Sequence, residues 1–300
     1  MSKNSGLLEL NAALALAARR NFRAAAVDLN MSPSALSHRI AQLEQRIGAR
    51  LFHRTTRSVS LTQAGETFLA RIDPALREIA HAIDDMNIFR NSPVGTLRIN
   101  TSEGAARQIF APVVLPYLKR HPGMAVDLVT DGRNIDIIAE GFDAGIRLLE
   151  AVPQEMTAVP IGPEQRMRVV ASPRYLETRE PPKTPADLAS HRCIRRRMQS
   201  GSVYHWEFER DGKVEAIEPT GALTVGNDDL NLEAAVEGLG IAYMIDYAAA
   251  PHIAAGRLVA MLEDWTPPFP GLAIYYPAQK HIPAGLRAFI VCAREWKSQS

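Results

Sequence analysis

Between Ser32 and Arg39 the chain reads SPSALSHR, which gathers three hydroxyls, an imidazole and a guanidinium into eight consecutive residues. Such groups do covalent chemistry only when a base, a metal or a cofactor activates them. The sequence offers no nucleophile elbow, no glycine-rich phosphate loop and no cluster of metal ligands. Its two cysteines, Cys193 and Cys292, suggest neither a disulfide framework nor a metal site, and His205 and Trp206 beside Glu207 match no metal spacing. No catalytic residue, metal or cofactor is therefore expected, and the chemistry is non-covalent recognition. Short hydroxyls and a planar ring suit base edges and phosphates, so Ser32, Pro33, Ser34, Ser37 and His38 form a candidate reading surface, while Arg39 can reach the backbone. Arg54, Thr56 and Arg57 follow in a hairpin, where the arginines suit phosphates or an adjacent minor groove.

The elements that must position these groups are legible from periodicity. Leu36, Ile40, Leu43 and Ile47 recur at the helical period and predict a core-facing ridge, which turns Ser34, Ser37, His38 and Ala41 or Gln42 onto other faces. Ser32 is placed to cap this helix, Pro33 suits its first position, and Gly48 ends it. Upstream, Leu7, Leu10, Leu14 and Ala17 or Ala18 mark the apolar face of one helix. Phe22 to Leu29 predicts a shorter one, followed by a turn around Asn30–Met31–Ser32. Downstream, LFHRTTRSVSLT alternates like a two-stranded wing turning near Thr56–Ser58. Two helices across a tight turn fit a helix-turn-helix, and equally a helix that docks on protein. Charge favours a polyanion partner: residues 1–61 hold nine basic and three acidic groups, net +6 in a chain whose formal net charge is +1.

Phe68 or Leu69, Ile72, Leu76, Ile79, Ile83 and Met86 form a stripe on a long helix of nearly 30 residues, about 43 Å. Its length and one-sidedness call for a partner helix from another subunit, and Pro74 should kink it or start a new helix. After NSPVG at 91–95 the grammar becomes α/β with mostly parallel strands. Strand candidates are TLRINTS, AVDLVT, AGIRLL, MRVVAS, GALTV and GIAYMI, with helices over Ala105–Arg120, Asn134–Glu140 and Leu230–Glu237. TAVPIGPEQRMRVVASPRYL and EDWTPPFPGLAIYY read as two crossings between two lobes, hence a hinged cleft for a small ligand. Thr101 and Ser102, at a strand end before a helix start near Gly104, are a plausible anion seat, with Glu103 arguing against a strongly anionic ligand. The run Arg195–Arg196–Arg197 reads as local pairing with nearby acids. The cysteines, assigned to different lobes, read as separate semi-buried thiols. No membrane span and no secretory signal are found, which points to a cytoplasmic protein.

The stretch NFRAAAVDLNMSPSALSHRIAQLEQRIGARLFHRTTRSVSLTQAGETFL closely resembles the winged helix-turn-helix of LysR-type transcriptional regulators. The likeness rests on Ala24–Ala25–Ala26, on Ser32 to Ser37, on Leu43–Glu44, and on Leu51 to Arg57 with Leu61 to Gly65. One departure is Pro33, where the family often has glutamine, so readout would lean on Ser34, Ser37 and His38 or on DNA shape. More loosely, Phe142 to Arg147 and His191 to Phe208 resemble the family's two-lobed body.

The resemblance implies an N-terminal all-α winged helix-turn-helix over 1–62, a linker dimerisation helix over 63–92, and an effector-binding region over 93–300. That region is a Rossmann-like, type 2 periplasmic-binding-protein-like domain, with lobe 1 about 93–163 and 269–300 and lobe 2 about 164–268. It also implies promoter DNA with a T-N11-A core, a small organic effector, a homodimer or homotetramer, and RNA polymerase as a further partner. Cleft residues would include Thr130, Asp131 and Arg147, with Tyr204, Gly226, Asn227 and Asp228 from the other lobe. Arg147 in the cleft would favour a carboxylate; alternatively Asp143 or Asp131 satisfies it as a structural pair. The rival readings are a ligand-independent architectural DNA binder and a solute-binding or enzymatic α/β domain fused to a helical head.

Overall fold

The computed structural model describes residues 5–54, 58–86, 93–133, 135–278 and 282–299. Thr56, Arg57 and Asn134 lie outside the described residues, as do the side chains of Ile83 and Met86. The chain divides into two compact units, one built from Met1–Pro93 with Ile138–Gly141 and the other from Val94–Ile137 with Phe142–Ser300.

The first unit opens with α1 (Ser5–Arg19), α2 (Phe22–Asp28) and α3 (Pro33–Ile47). Asn21 caps α2 by accepting from the amides of Arg23 and Ala24, and Ser32 caps α3 by accepting from that of Ala35. Between them Asn30 takes φ 50°, a left-handed conformation that asparagine tolerates, and the Met31 amide returns to the Ala26 carbonyl. Gly48 ends α3 at φ 76°. Strand β1 (Phe52–Arg54) pairs antiparallel with β2 (Val59–Leu61), and α4 (Gln63–Met86) follows. The core gathers Ala12, Leu16, Ala25, Leu36, Ile40, Leu43, Phe52 and Leu69. Helix α4 runs through Pro74 without ending, so of the kink or restart expected from sequence the restart does not occur. A single missing N–H removes only one rung of a 24-residue helix, and the rest of the ladder holds.

The second unit holds two lobes. In the first, β3 (Gly95–Thr101) pairs in parallel with β4 (Met124–Thr130) and β5 (Ala144–Leu148). β14 (Leu272–Pro277) then joins β5 and β6 (Met156–Ile161) antiparallel, giving the order β4-β3-β5-β14-β6. Helices α5 (Glu103–Ile109), α6 (Leu115–Arg120) and α10 (Ala284–Gln299) bury Ile109, Tyr117 and Phe289 against this sheet. The single helix expected over Ala105–Arg120 is interrupted by a π-helical turn, Phe110–Val114. Pro112 has no N–H for the Gln108 carbonyl, so the ladder widens there. The helix expected over Asn134–Glu140 is absent from the described residues 135–140, where 137–140 make a turn and the Phe142 amide bonds the Ile137 carbonyl at 2.8 Å. That segment is too short to nucleate a helix alone.

The second lobe contains β7 (Met167–Ala171), α7 (Pro173–Leu176), β8 (Arg195–Arg196), β9 (Trp206–Arg210), β10 (Lys213–Ile217), β11 (Thr224–Val225), α8 (Asp228–Val236), β12 (Ala242–Ile245), α9 (Asp246–Ala254) and β13 (Val259–Met261). Its three-stranded sheet, β12-β7-β13, is antiparallel, which corrects the mostly parallel reading there, while β11 pairs with β8 in parallel. Alternation and burial look alike in both arrangements, so strand direction was not encoded in the pattern. Trp206 and Phe208 pack on Tyr243 at the centre. The two crossings between lobes are tied to each other, Gln165 and Phe269 exchanging both backbone hydrogen bonds at 2.9 and 2.8 Å. No described helix is long and apolar enough to cross a membrane.

Gly65 shows how tightly the wing root is built, since a Cβ there would stand 2.1 Å from the Leu51 carbonyl oxygen. Replacing a helical glycine by alanine normally stabilises by about 1 kcal/mol, but here the backbone clash dominates. Gly65→Ala is expected to destabilise the first unit by roughly 2–4 kcal/mol, read as a lowered melting transition. A raised transition would contradict this packing.

Candidate functional site

Burial decides which face of α3 is available. Leu36, Ile40 and Leu43 are each 0% exposed, so Ser34, His38 and Gln42 stand in solvent on other faces, with Ser37 and Arg39 half-buried. The Ser32 hydroxyl caps α3 and sits 3.0 Å from the Ser34 hydroxyl, so it serves the helix start before any base edge. Pro33 occupies the first turn, exposed. Gln42 Nε2 lies 3.0 Å from His38 Nε2; with the amide donating, the ring keeps Nδ1–H to offer outward. Arg54, read from sequence as a phosphate or minor-groove contact, donates to Glu44 at 2.6 Å and lies over the Phe22 ring. Thr56 and Arg57 cannot be placed, being outside the described residues.

The effector candidates separate into two groups within the second unit. In the first, Ser102 caps α5 and Asn227 caps α8, and the two helix starts meet: Asn227 Nδ2 donates to Glu103 at 3.2 Å, and a Cβ on Gly104 would lie 3.5 Å from Asp228 Oδ2. Gly226 precedes this cap on an exposed turn. Arg107 bridges Glu103 at 3.0 Å and Asp229 at 2.6 Å, and Arg196 pairs with Asp228 at 2.9 Å. Carboxylates thus stand at both helix starts, beside the Thr101–Ser102 pair expected to seat an anion, and are themselves paired with arginines. Thr101 itself is 0% exposed and donates to the Ser102 carbonyl. Tyr204, half-buried and stacked on Tyr243, donates its main-chain amide to the Arg196 carbonyl at 2.8 Å.

The second group comprises Asp131 and Arg147, with Thr130 exposed at the end of β4. The Arg147 guanidinium donates to Asn100 Oδ1, to the Asp131 carbonyl at 2.7 Å and to the Ile146 carbonyl at 2.8 Å. Burial lowers its pKa from the usual arginine value. The Asp131 carboxylate is held by Arg133, whose hydrogen bonds bring its pKa down to about 2, and Asp143 accepts the Arg98 amide. Arg147 therefore braces the strand ends, its guanidinium engaged by the Asn100 side chain and by main-chain carbonyls, where the sequence left open a carboxylate ligand or an acidic partner.

Between the lobes, α5, β4, α8 and α9 enclose a cavity of about 460 Å³ whose walls include Phe110, Leu128, Leu232 and Tyr247, with Arg107, Asp228 and Asp229 at its edge. The arginine run is spent locally, Arg195 on Thr224, Arg196 on Asp228 and Arg197 on the Gly201 carbonyl. Cys193 and Cys292 are buried in the cores of different lobes, and burial pushes the Cys193 thiol up to about 11. Among the described residues no His, Cys, Asp and Glu cluster could hold a metal. Sequence reading missed Arg107 altogether, while Glu44 in the Leu43–Glu44 pair, Glu103 beside Ser102 and Arg196 in the arginine run were noted without the partners found here.

Residues 7–66 match the bacterial regulatory helix-turn-helix protein, lysR family, and residues 90–298 match the LysR substrate binding domain. The chain belongs to the LysR family. It is 41% identical over 276 residues to the uncharacterized HTH-type transcriptional regulator YcaN of Escherichia coli K12, covering 92% of this chain and 90% of that one. It is 36% identical to the HTH-type transcriptional regulator PgrR of the same organism, covering 96% and 97%. Among solved structures, CrgA of Neisseria meningitidis, a LysR-type transcriptional regulator, superposes with TM-score 0.60 at 27% identity, covering 96% of this chain and 98% of CrgA. The protein is a LysR-type, DNA-binding transcriptional regulator with an effector-binding domain. Regulators of this family bind DNA and small-molecule effectors and form oligomers.

Burial, with Glu103 and Asp229 nearby, pushes the Asp228 carboxyl above its ordinary range, against the pull of Arg196. A raised folded-state pKa means protonation favours folding: that contribution is present at low pH and lost as pH rises through the raised value. Asp228→Asn is expected to melt at or above the wild-type temperature at pH 8. Arg196→Met, which strands the carboxylates, is expected to melt roughly 2–4 °C lower. Thermal unfolding of the full chain checks both, and an Asp228→Asn protein that melts clearly lower at pH 8 would contradict the assignment.

Proposed function

We propose that the regulator reads duplex promoter DNA with α3 in the major groove and the β1–β2 wing on the adjacent backbone or minor groove. A small organic effector held between the two lobes sets its activity. The observation that carries the DNA reading is the outward face of α3, where Ser34, His38 and Gln42 are exposed opposite a fully buried ridge. Ser34, Ser37 and His38 specify, whereas Arg39 and Arg57 hold phosphates. Residues 1–62 act as the head, 63–92 as the helix that pairs subunits, and 93–300 as the effector region. Ile79, 43% exposed on α4, supports pairing through that helix, in a dimer or tetramer that meets RNA polymerase at the promoter.

For the effector, the meeting of Ser102, Glu103 and Gly104 with Asn227 and Asp228 supports a site at that junction. With Arg147 engaged by main chain and acids on the junction, the chemistry favours a neutral or amine-bearing ligand over a carboxylate. Ligand binding shifts the balance of lobe arrangements, and the oligomer transmits that shift to the heads without any catalytic step. Such a protein works in the cytoplasm and is no enzyme.

His38→Ala is expected to change preference among sites, by about 1–3 kcal/mol at one base position. Arg57→Ala should weaken all duplexes alike and flatten the salt dependence by about one phosphate contact. Equilibrium binding of both variants to a panel of point-altered duplexes at two salt concentrations checks the division. Equal losses across all sequences from both variants would overturn it.

A further inference from the structure

The wing of this regulator is fastened to its recognition helix by one carboxylate. Glu44, in the last turn of α3, accepts the backbone amides of Leu51 at 2.9 Å and Phe52 at 3.2 Å on Oε1. Its Oε2 accepts Arg54 at 2.6 Å, and that guanidinium lies 5.4 Å from the ring centroid of Phe22, the first residue of α2. The segment between helix and strand is closed from its other side as well. Thr62 donates its hydroxyl to the Arg50 carbonyl at 2.7 Å, and its amide bonds the Leu51 carbonyl at 2.9 Å. Leu51 and Phe52 are themselves buried, so the strand start cannot slide. Within that closure the Glu44 carboxylate is the polar link from α3 to the wing: one oxygen holds the amides where β1 starts, and the other holds the side chain at its far end.

We propose that Glu44 is a positioning residue for DNA binding, which through Arg54 holds the wing at the angle its tip needs beside the groove read by α3. The proposal rests on the reading above that the wing touches DNA. It also assigns Arg54 a different job from Arg57, since Arg54 is committed to Glu44 and Phe22 and carries the wing rather than serving as a free phosphate contact.

Glu44→Gln separates the two oxygens. The amide carbonyl still accepts from Leu51 and Phe52, whereas the amide nitrogen meets the Arg54 guanidinium donor to donor and releases it. The measurement is hydroxyl-radical footprinting and equilibrium binding of the full-length protein on a duplex selected by the wild type from fragmented host DNA. Glu44→Gln, Arg54→Met and the double variant are compared, with melting temperature followed alongside. The expected result for Glu44→Gln is loss of the protection flanking the recognition-helix groove, with protection inside it retained. Affinity falls roughly tenfold, as for one charge-assisted hydrogen bond. Arg54→Met should match it, and the double variant should lose no more than either single one, because both changes break the same link.

Flanking protection retained in Glu44→Gln would overturn this proposal alone, as would additive, roughly hundredfold loss in the double variant. Uniform loss over the whole site together with a collapsed melting transition in both single variants would reduce Glu44 to fold support. Absence of any flanking protection in the wild type would overturn the wing reading and this proposal with it.

Discussion

The constraint on which the DNA-binding unit depends is the burial of three side chains on one side of α3. Leu36, Ile40 and Leu43 are wholly enclosed by residues of α1, α2, β1 and α4. Exposing any of them would cost about 1.5–3 kcal/mol, so rolling the helix by even one position is prohibitive. Helix rotation is thereby fixed, and with it the set of polar groups that faces outward. The caps set the limits of the helix, Ser32 at its start and Gly48 in the left-handed conformation at its end. The buried Glu9 carboxylate, paired with Arg46 at 2.8 Å, adds an electrostatic tie between α1 and the far end of α3. A polar surface of short side chains is useful for recognition only when it is held this firmly, since a hydrogen bond to a base edge tolerates little misalignment.

The effector-binding unit solves a different problem, holding two lobes in register while leaving a junction between them. The lobes have separate apolar cores, and two crossing segments that hydrogen-bond to each other through Gln165 and Phe269 keep them together. Across the junction the contacts are polar and charged: Asn227 to Glu103, Arg107 to Asp229 and the Tyr247 hydroxyl to the Arg107 carbonyl. Exposed ion pairs of this kind contribute little each, on the order of 0–1 kcal/mol. They are therefore suited to being exchanged when a ligand arrives, while the cores on either side stay intact.

Much of the first unit was legible in the sequence because each of its signals is local. The apolar period of Leu36, Ile40 and Leu43, the Ser32–Pro33 opening and the Gly48 stop agree with one another and describe the helix found, whereas Ile47, expected on the same ridge, is exposed in the last turn. The second unit resisted where the deciding partner is remote. Arg147 looked like a ligand fork because its spacing from Asn100 and from the Asp131 carbonyl exists only after β3, β4 and β5 are assembled. The Ser102 and Asn227 side-chain oxygens are consumed locally instead, each by the start of the helix it precedes. Pro112 and Pro74 carried the same residue-level warning with opposite outcomes, a π-helical turn at one and an uninterrupted helix at the other. Local propensity alone does not separate them; the surroundings of each helix do.

The central claim is that a rigidly presented helix face reads DNA sequence. Footprinting of the full-length protein on fragmented host DNA at two salt concentrations tests it most directly. The account requires a bounded, two-fold-related protected site that persists at the higher salt, because contacts to base edges survive screening better than contacts to phosphates. Diffuse protection that disappears as salt is raised would contradict it and leave a head that grips only the backbone.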